Sequence, residues 1–235
     1  MSIRPIVRLG HPTLRGVARA LAPGQIGEAG VQELIDDMVE TMRTAHGVGL
    51  AAPQVGTALQ LFVYELAPAP QADAEAPQAE AGHEPSRAPG RSPGEALGAI
   101  PLHVVINAML TPQAGELVYD WEGCLSIPDL RGLVPRHPAV RVRGLDRHGQ
   151  PLDYVARGFE ARIVQHEFDH LNGVVFLDRM RDLKALAFRD EWERYMAAGA
   201  AEPPGPHDLQ APPARDSSEP VLAEAAPPAA TPEVI

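Results

Sequence analysis

The five residues His166-Glu167-Phe168-Asp169-His170 are where this chain could do chemistry. On a helix, positions i and i+4 lie about 40° apart around the axis, so both imidazoles leave one face and can share a divalent metal. Glu167 falls in the same arc and can reach a water on that metal. The competing reading makes the histidines packing or capping residues. Composition produces the pattern by chance on the order of once in a few hundred chains of this length, which favours the metal.

A metal needs further ligands, and two candidates stand open. Asp190 and Glu191 lie about twenty residues beyond the second histidine, where thermolysin-like proteases place a carboxylate ligand. The other candidate is Cys124, the single cysteine, within Glu122-Gly123-Cys124-Leu125-Ser126. A lone cysteine is usually a small buried hydrophobe. Here a glycine beside it lets the backbone approach a metal, and apparent strands flank it. Two histidines and a cysteine with a fourth position open form a catalytic set, not a closed structural one.

A third segment, Gly47-Val48-Gly49-Leu50-Ala51-Ala52-Pro53-Gln54, combines glycines, small alanines and a proline before an amide side chain. It reads as a tight loop with close backbone approach. Taken alone, a helix stop followed by a turn is the better reading of it. It has no phosphate-loop lysine, which argues against nucleotide binding.

The elements that must position these residues are legible in outline. Val31, Leu34, Ile35, Met38, Val39 and Met42 recur at three- and four-residue spacing, predicting an amphipathic helix between Gly27 and Gly47. Leu59–Leu66 reads as a strand. Short β-like runs follow at Leu102–Ile106, Glu116–Tyr119, Leu130–Val134, Val140–Leu145 and Leu152–Ala156. Gly158–Leu171 reads as a helix stopped by Asn172-Gly173. An apolar run, Val174–Leu177, precedes a final amphipathic helix predicted over about Asp182 to Met196. The pattern is an α+β fold: short antiparallel sheets around a buried metal-binding helix, with a C-terminal helix.

Composition divides the chain. Of 25 prolines, 15 fall in residues 66–100 and 201–235, which hold few large apolar side chains. Such stretches cannot bury enough surface to offset the entropy of ordering. They are expected to be a disordered insertion and a disordered tail around one catalytic domain over 1–200. They contribute −3 and −5 to the net charge of −11, leaving −3 for the rest. A near-neutral folded part argues neither for nucleic-acid binding nor for strong acidity at a working surface. One cysteine allows no intrachain disulfide. No apolar run approaches the roughly 18 residues a membrane span needs. Residues 1–27 hold four arginines and no acid, a faint echo of a transit peptide, but Pro5 and Pro12 interrupt them and no secretory apolar region is present. The cytoplasm is the expected compartment.

Taken in order, Gly47–Gln54, Glu122–Ser126 and Gln165–His170 resemble the three signature motifs of peptide deformylases, each intact. The resemblance covers roughly residues 3–180 apart from the insertion, and it favours Cys124 over Asp190 and Glu191. It implies a hydrolase that removes the formyl group from the N-terminal formyl-methionine of new proteins. By resemblance, Cys124, His166 and His170 bind one metal, Fe(II) as the usual ion with Zn or Ni able to substitute. Glu167 is then general base and acid, while the Gln54 amide and the Leu125 backbone N–H face the developing oxyanion. Gly49, with Val48 beside it, offers backbone hydrogen bonds to a strand-like peptide. Glu122 and Arg131 resemble a pair flanking the cleft. Implied partners are formyl-methionyl nascent peptides and, transiently, the ribosome, with a monomeric enzyme and no membrane or sequence-specific nucleic-acid contact. The chain departs from the family pattern in its longer insertion, its additional tail, and Asn107-Ala108 where Asn-Pro is common. Two rivals remain: a thermolysin-like endopeptidase, and an inactive relative that only binds peptides or ribosomes.

Overall fold

A computed structural model of the protein describes residues 2–67 and 98–197, all within the unit Met1–Pro203. The expected insertion and tail fall outside the described residues, apart from the insertion's ends. Those ends are ordered: Leu66 closes strand β2 and pairs with Ile100, which opens β3. The intervening segment therefore leaves and re-enters at one end of an antiparallel ladder.

After a single turn, α1 (Pro23–Ile26), the predicted first helix forms as α2 (Ala29–Thr44). Leu34, Ile35, Met38, Val39 and Met42 are buried on one face, as their spacing requires. The first sheet is antiparallel throughout, in the order β1 (Gly49–Ala51), β2 (Leu61–Leu66), β3 (Ile100–Pro112), β6 (Ala139–Leu145), β7 (Pro151–Arg157). The second is β4 (Val118–Cys124), β5 (Ile127–Arg136), β8 (Leu186–Phe188). Helix α3 (Gly158–Leu171) follows β7, and the short α4 (Phe176–Arg179) and α5 (Arg189–Tyr195) come after it.

Strand β2 is buried on both faces, and its alternation divides the core in two. Leu61 and Val63 join the cluster formed with α2, whereas Phe62 and Tyr64 join the cluster formed with Ala161, Ile163, Val164 and Leu171 of α3. The first sheet is thus sandwiched between α2 and α3. Fully burying residues such as Val164 and Leu171 contributes ~2 kcal/mol each, which anchors the helix that carries His166 and His170. A third cluster gathers Cys124, Ile127, Val134, Val175 and Phe176 beside the second sheet.

The α+β class, the antiparallel sheets and the C-terminal helix are as the sequence predicts. The last helix is shorter than its pattern suggests. Residues Leu186–Phe188 pair with Leu130–Gly132 of β5, so that the pattern is divided into a 3-10 turn, Leu183–Ala185, and a short α-helix, Arg189–Tyr195. The glycine-rich loop is also partly strand, because Gly49–Ala51 pairs with Phe62–Tyr64.

Candidate metal centre and active site

Three elements converge on one point. Cys124 ends β4, and a two-residue turn, Leu125-Ser126, returns the chain into β5 through the Cys124–Ile127 pair. His166 and His170 stand one turn apart on α3, their rings edge to face with centroids at 5.1 Å. The cysteine sulfur and one nitrogen from each histidine lie within 4.8 Å of one another, with Sγ 3.3 Å from His170 Nε2. One soft thiolate and two imidazoles at this spacing suit a divalent transition metal. Asp190 and Glu191 do not join the cluster. They sit on α5 and line a surface hollow with Asp129 and Phe188, and Glu191 is 3.6 Å from Arg194.

His166 is held from two sides. Its Nδ1 is 2.9 Å from Glu122 Oε2, which leaves Nε2 for a ligand role. Phe176 stacks on its ring at 19° and 6.4 Å. Glu122 is itself buried and accepts from Arg136 and Arg162. Burial would raise its carboxyl, but Arg136 and His166 outweigh this and hold it well below the ordinary carboxylate range. Burial likewise lowers both imidazoles. Hydrogen bonds with Cys124 and Glu122 nevertheless lift His166 well above its usual value, while burial and the charge of His166 push His170 well below.

Glu167 is buried next to the cluster. Its Oε2 has no hydrogen-bond partner among the described residues. Burial, the main cause, pushes its carboxyl up to about 7. The glycines around it have a common purpose. A Cβ on Gly49 would lie 2.3 Å from Glu167 Oε1, and one on Gly47 would lie 2.8 Å from Leu125 Cδ1. A Cβ on Gly123 would meet the Arg131 guanidinium. Each glycine leaves room for a side chain from another segment to cover its backbone.

Gln54 is only 1% exposed and fixed at both ends of its amide. Its Oε1 accepts from Ala51 N–H at 2.9 Å, while Nε2 points at Ser126 Oγ (3.3 Å) and Cys124 Sγ (3.5 Å). The N-terminal segment braces both site loops, Val7 N–H donating to Gln54 O and Leu9 N–H to Ser126 O.

Strand β1 lies at the edge of its sheet. The carbonyl of Val48 accepts from Glu65 N–H, so the ladder alternation directs the N–H and C=O of Gly49, one residue on, toward the open edge. Val48 packs its side chain against the α3 cluster. The backbone offered to an added strand is therefore that of Gly49. Glu122 and Arg131, expected as a pair beside the cleft, do not meet. Glu122 is turned inward, where Arg136, Arg162 and His166 Nδ1 meet its carboxylate. Arg131 is partly buried over Gly123 and donates to Leu130 O. Sequence reasoning passed over Arg136, Arg162 and Asp169. Their partners are remote in sequence, so no spacing signals them.

Comparisons with known proteins identify the family. The model of the polypeptide deformylase family matches residues 3–186. The chain is 38% identical over 188 residues to peptide deformylase 1 of Nitrosomonas europaea, covering 80% of this chain and 93% of that one. It is 40% identical over 189 residues to peptide deformylase 2 of a Nostoc species, covering 80% and 92%. The crystal structure of a class I type b peptide deformylase from Acinetobacter baumannii with Met-Ala-Ser bound superposes with a TM-score of 0.63 at 31% identity, covering 77% of this chain and all of that one. The chain belongs to the peptide deformylase family, metal-dependent hydrolases that remove the N-formyl group from new polypeptides.

Proposed function

We propose that this protein hydrolyses the formamide on the N-terminal methionine of nascent peptides using one metal held by Cys124, His166 and His170. Fe(II) is the ion suggested by family resemblance, with Zn(II) or Ni(II) able to replace it. When bound, such a metal supplies a Lewis acid that activates water and polarises the formyl oxygen.

The chain's own groups do the rest. Glu167 takes the proton of the attacking water and delivers it to the departing methionine nitrogen. A carboxyl poised near pH 7 suits both transfers, since it neither grips the proton nor refuses it. The Gln54 amide and the Leu125 N–H donate to the oxygen on which charge develops, each contributing about 3 kcal/mol. Gln54 is neutral and cannot compete with that oxygen for the metal. Gly49 pairs with the substrate backbone as an added strand, beside Val48. Arg131 borders the peptide path over Gly123, and Glu122 acts from behind His166.

Glu167 carries this reading. It is a buried carboxyl with one oxygen unpartnered among the described residues, beside a cysteine–histidine cluster and directly over the glycine that ends a free sheet edge. A substrate available only as chains emerge suggests brief ribosome contact, a cytoplasmic location and a monomer. Among the described residues no helix is long and apolar enough to cross a membrane. The test is formate release from a formyl-Met peptide by anaerobically purified, metal-loaded protein. Formate is expected. Cleavage of an internal peptide bond instead would point to an endopeptidase, and binding without turnover to a peptide-binding relative.

A further inference from the structure

Arg136 ends β5 and is only 5% exposed, yet the chemistry above makes no use of it. Its Nε and Nη2 donate to Glu122 Oε1 and Oε2 at 2.8 and 2.9 Å, a parallel fork. Its Nη1 donates to Asp169 Oδ2 at 2.6 Å. The two carboxylates stand on the two elements that carry the ligand atoms. Glu122 lies on β4, two residues before Cys124, and receives His166 Nδ1. Asp169 lies on α3 immediately before His170. Arg136 belongs to neither element and spans both.

We propose that Arg136 is a positioning residue for the metal centre, bridging Glu122 and Asp169 so that the Cys124 thiol and the two imidazoles are held at ligand spacing. A second tether explains why one is insufficient. Arg162, on α3 itself, donates to Glu122 and to the carbonyls of Val118 and Val134, pinning the helix one turn before His166. A helix pinned at one point can still pivot. The bond from Arg136 to Asp169 pins it again between His166 and His170, so both separation and rotation are set. Lysine cannot reproduce this arrangement, because a single ammonium has no planar fork to serve two carboxylates at once.

The inference rests on Cys124, His166 and His170 being the ligands, and the experiment separates the two claims. Zn(II) affinity is measured by chelator competition, and the Co(II)-loaded protein is examined by visible absorption, for the parent, Arg136→Lys and Asp169→Asn. The parent is expected to take up one ion per chain. Arg136→Lys should bind Zn(II) about 10- to 100-fold more weakly and show displaced Co(II) bands. Asp169→Asn weakens the arm to α3 and also the Arg179 fork on the same carboxylate. It should move both readouts in the same direction by less, and with Arg179→Ala as the control that leaves both unmoved, it decides the matter if the lysine variant fails to fold. A purely structural role would lower the melting temperature of the metal-free protein while leaving affinity within about threefold of the parent and the bands unmoved. That result overturns the proposal. A parent that takes up no stoichiometric metal overturns the ligand assignment, and this inference with it.

Discussion

Behind His166, both oxygens of Glu122 and of Asp169 receive N–H groups from arginine or histidine, and almost no solvent reaches them. On the near side of the same helix turn, Glu167 Oε2 is buried without a partner among the described residues. The difference separates two tasks. Satisfied buried charges fix geometry, because losing one partner strands the other at a cost of ~3–5 kcal/mol. Unsatisfied buried groups cost free energy in the folded chain and are the ones a substrate or metal can engage.

Breaking the near side at its ligand should have the largest effect. Cys124→Ser replaces a thiolate with a far poorer donor, so dialysed protein should retain less than about a tenth of the parent's metal and correspondingly little deformylation. Metal analysis after dialysis checks this. Near-stoichiometric metal would reopen the case for a carboxylate ligand, although Asp190 and Glu191 would have to move to supply it.

Gly49→Ala is the next step down. The new Cβ would lie 2.3 Å from Glu167 Oε1, so the carboxyl must swing away. A displacement of about 1 Å at a reacting group costs on the order of 10²-fold in turnover. Metal content should stay at the parent level, since no ligand is touched. Steady-state kinetics with unchanged metal per chain tests it, and turnover within a few-fold of the parent would mean that Glu167 tolerates displacement.

The smallest effect is expected far from either side. Arg141 and Asp153 pair across β6 and β7 at 2.7 Å, both about half exposed. Solvent screens such pairs, and Arg141→Ala should shift the melting temperature by no more than about 2 °C with activity intact. A larger shift by calorimetry would show that the outer strands contribute more to the site than the contrast allows.

How much of this was legible in the residues follows from the range of the forces involved. The i, i+4 histidines declare α3 and its function because helix geometry is local. The α2 stripe does so for the same reason. Strand β1 is hidden in a glycine-rich segment because three residues carry no periodicity and become strand only through β2. The C-terminal pattern over Asp182–Met196 is amphipathic enough for a helix, yet pairing of Leu186–Phe188 with β5 overrides that propensity. Glu122 is visible as a motif residue, but its inward direction depends on Arg136, fourteen positions away, and on His166. Asp169 is visible between the histidines, but its partner Arg136 is not.

The most direct measurement of the central claim is made on Glu167→Gln. The substitution keeps shape and burial while removing the group that accepts the proton. Metal per chain and formyl-Met peptide binding should remain near the parent, and formate release should fall by at least ~10²-fold. Formate release within a few-fold of the parent, with the metal still bound, would contradict the assignment of Glu167 as the proton carrier and leave the unpartnered oxygen without a function.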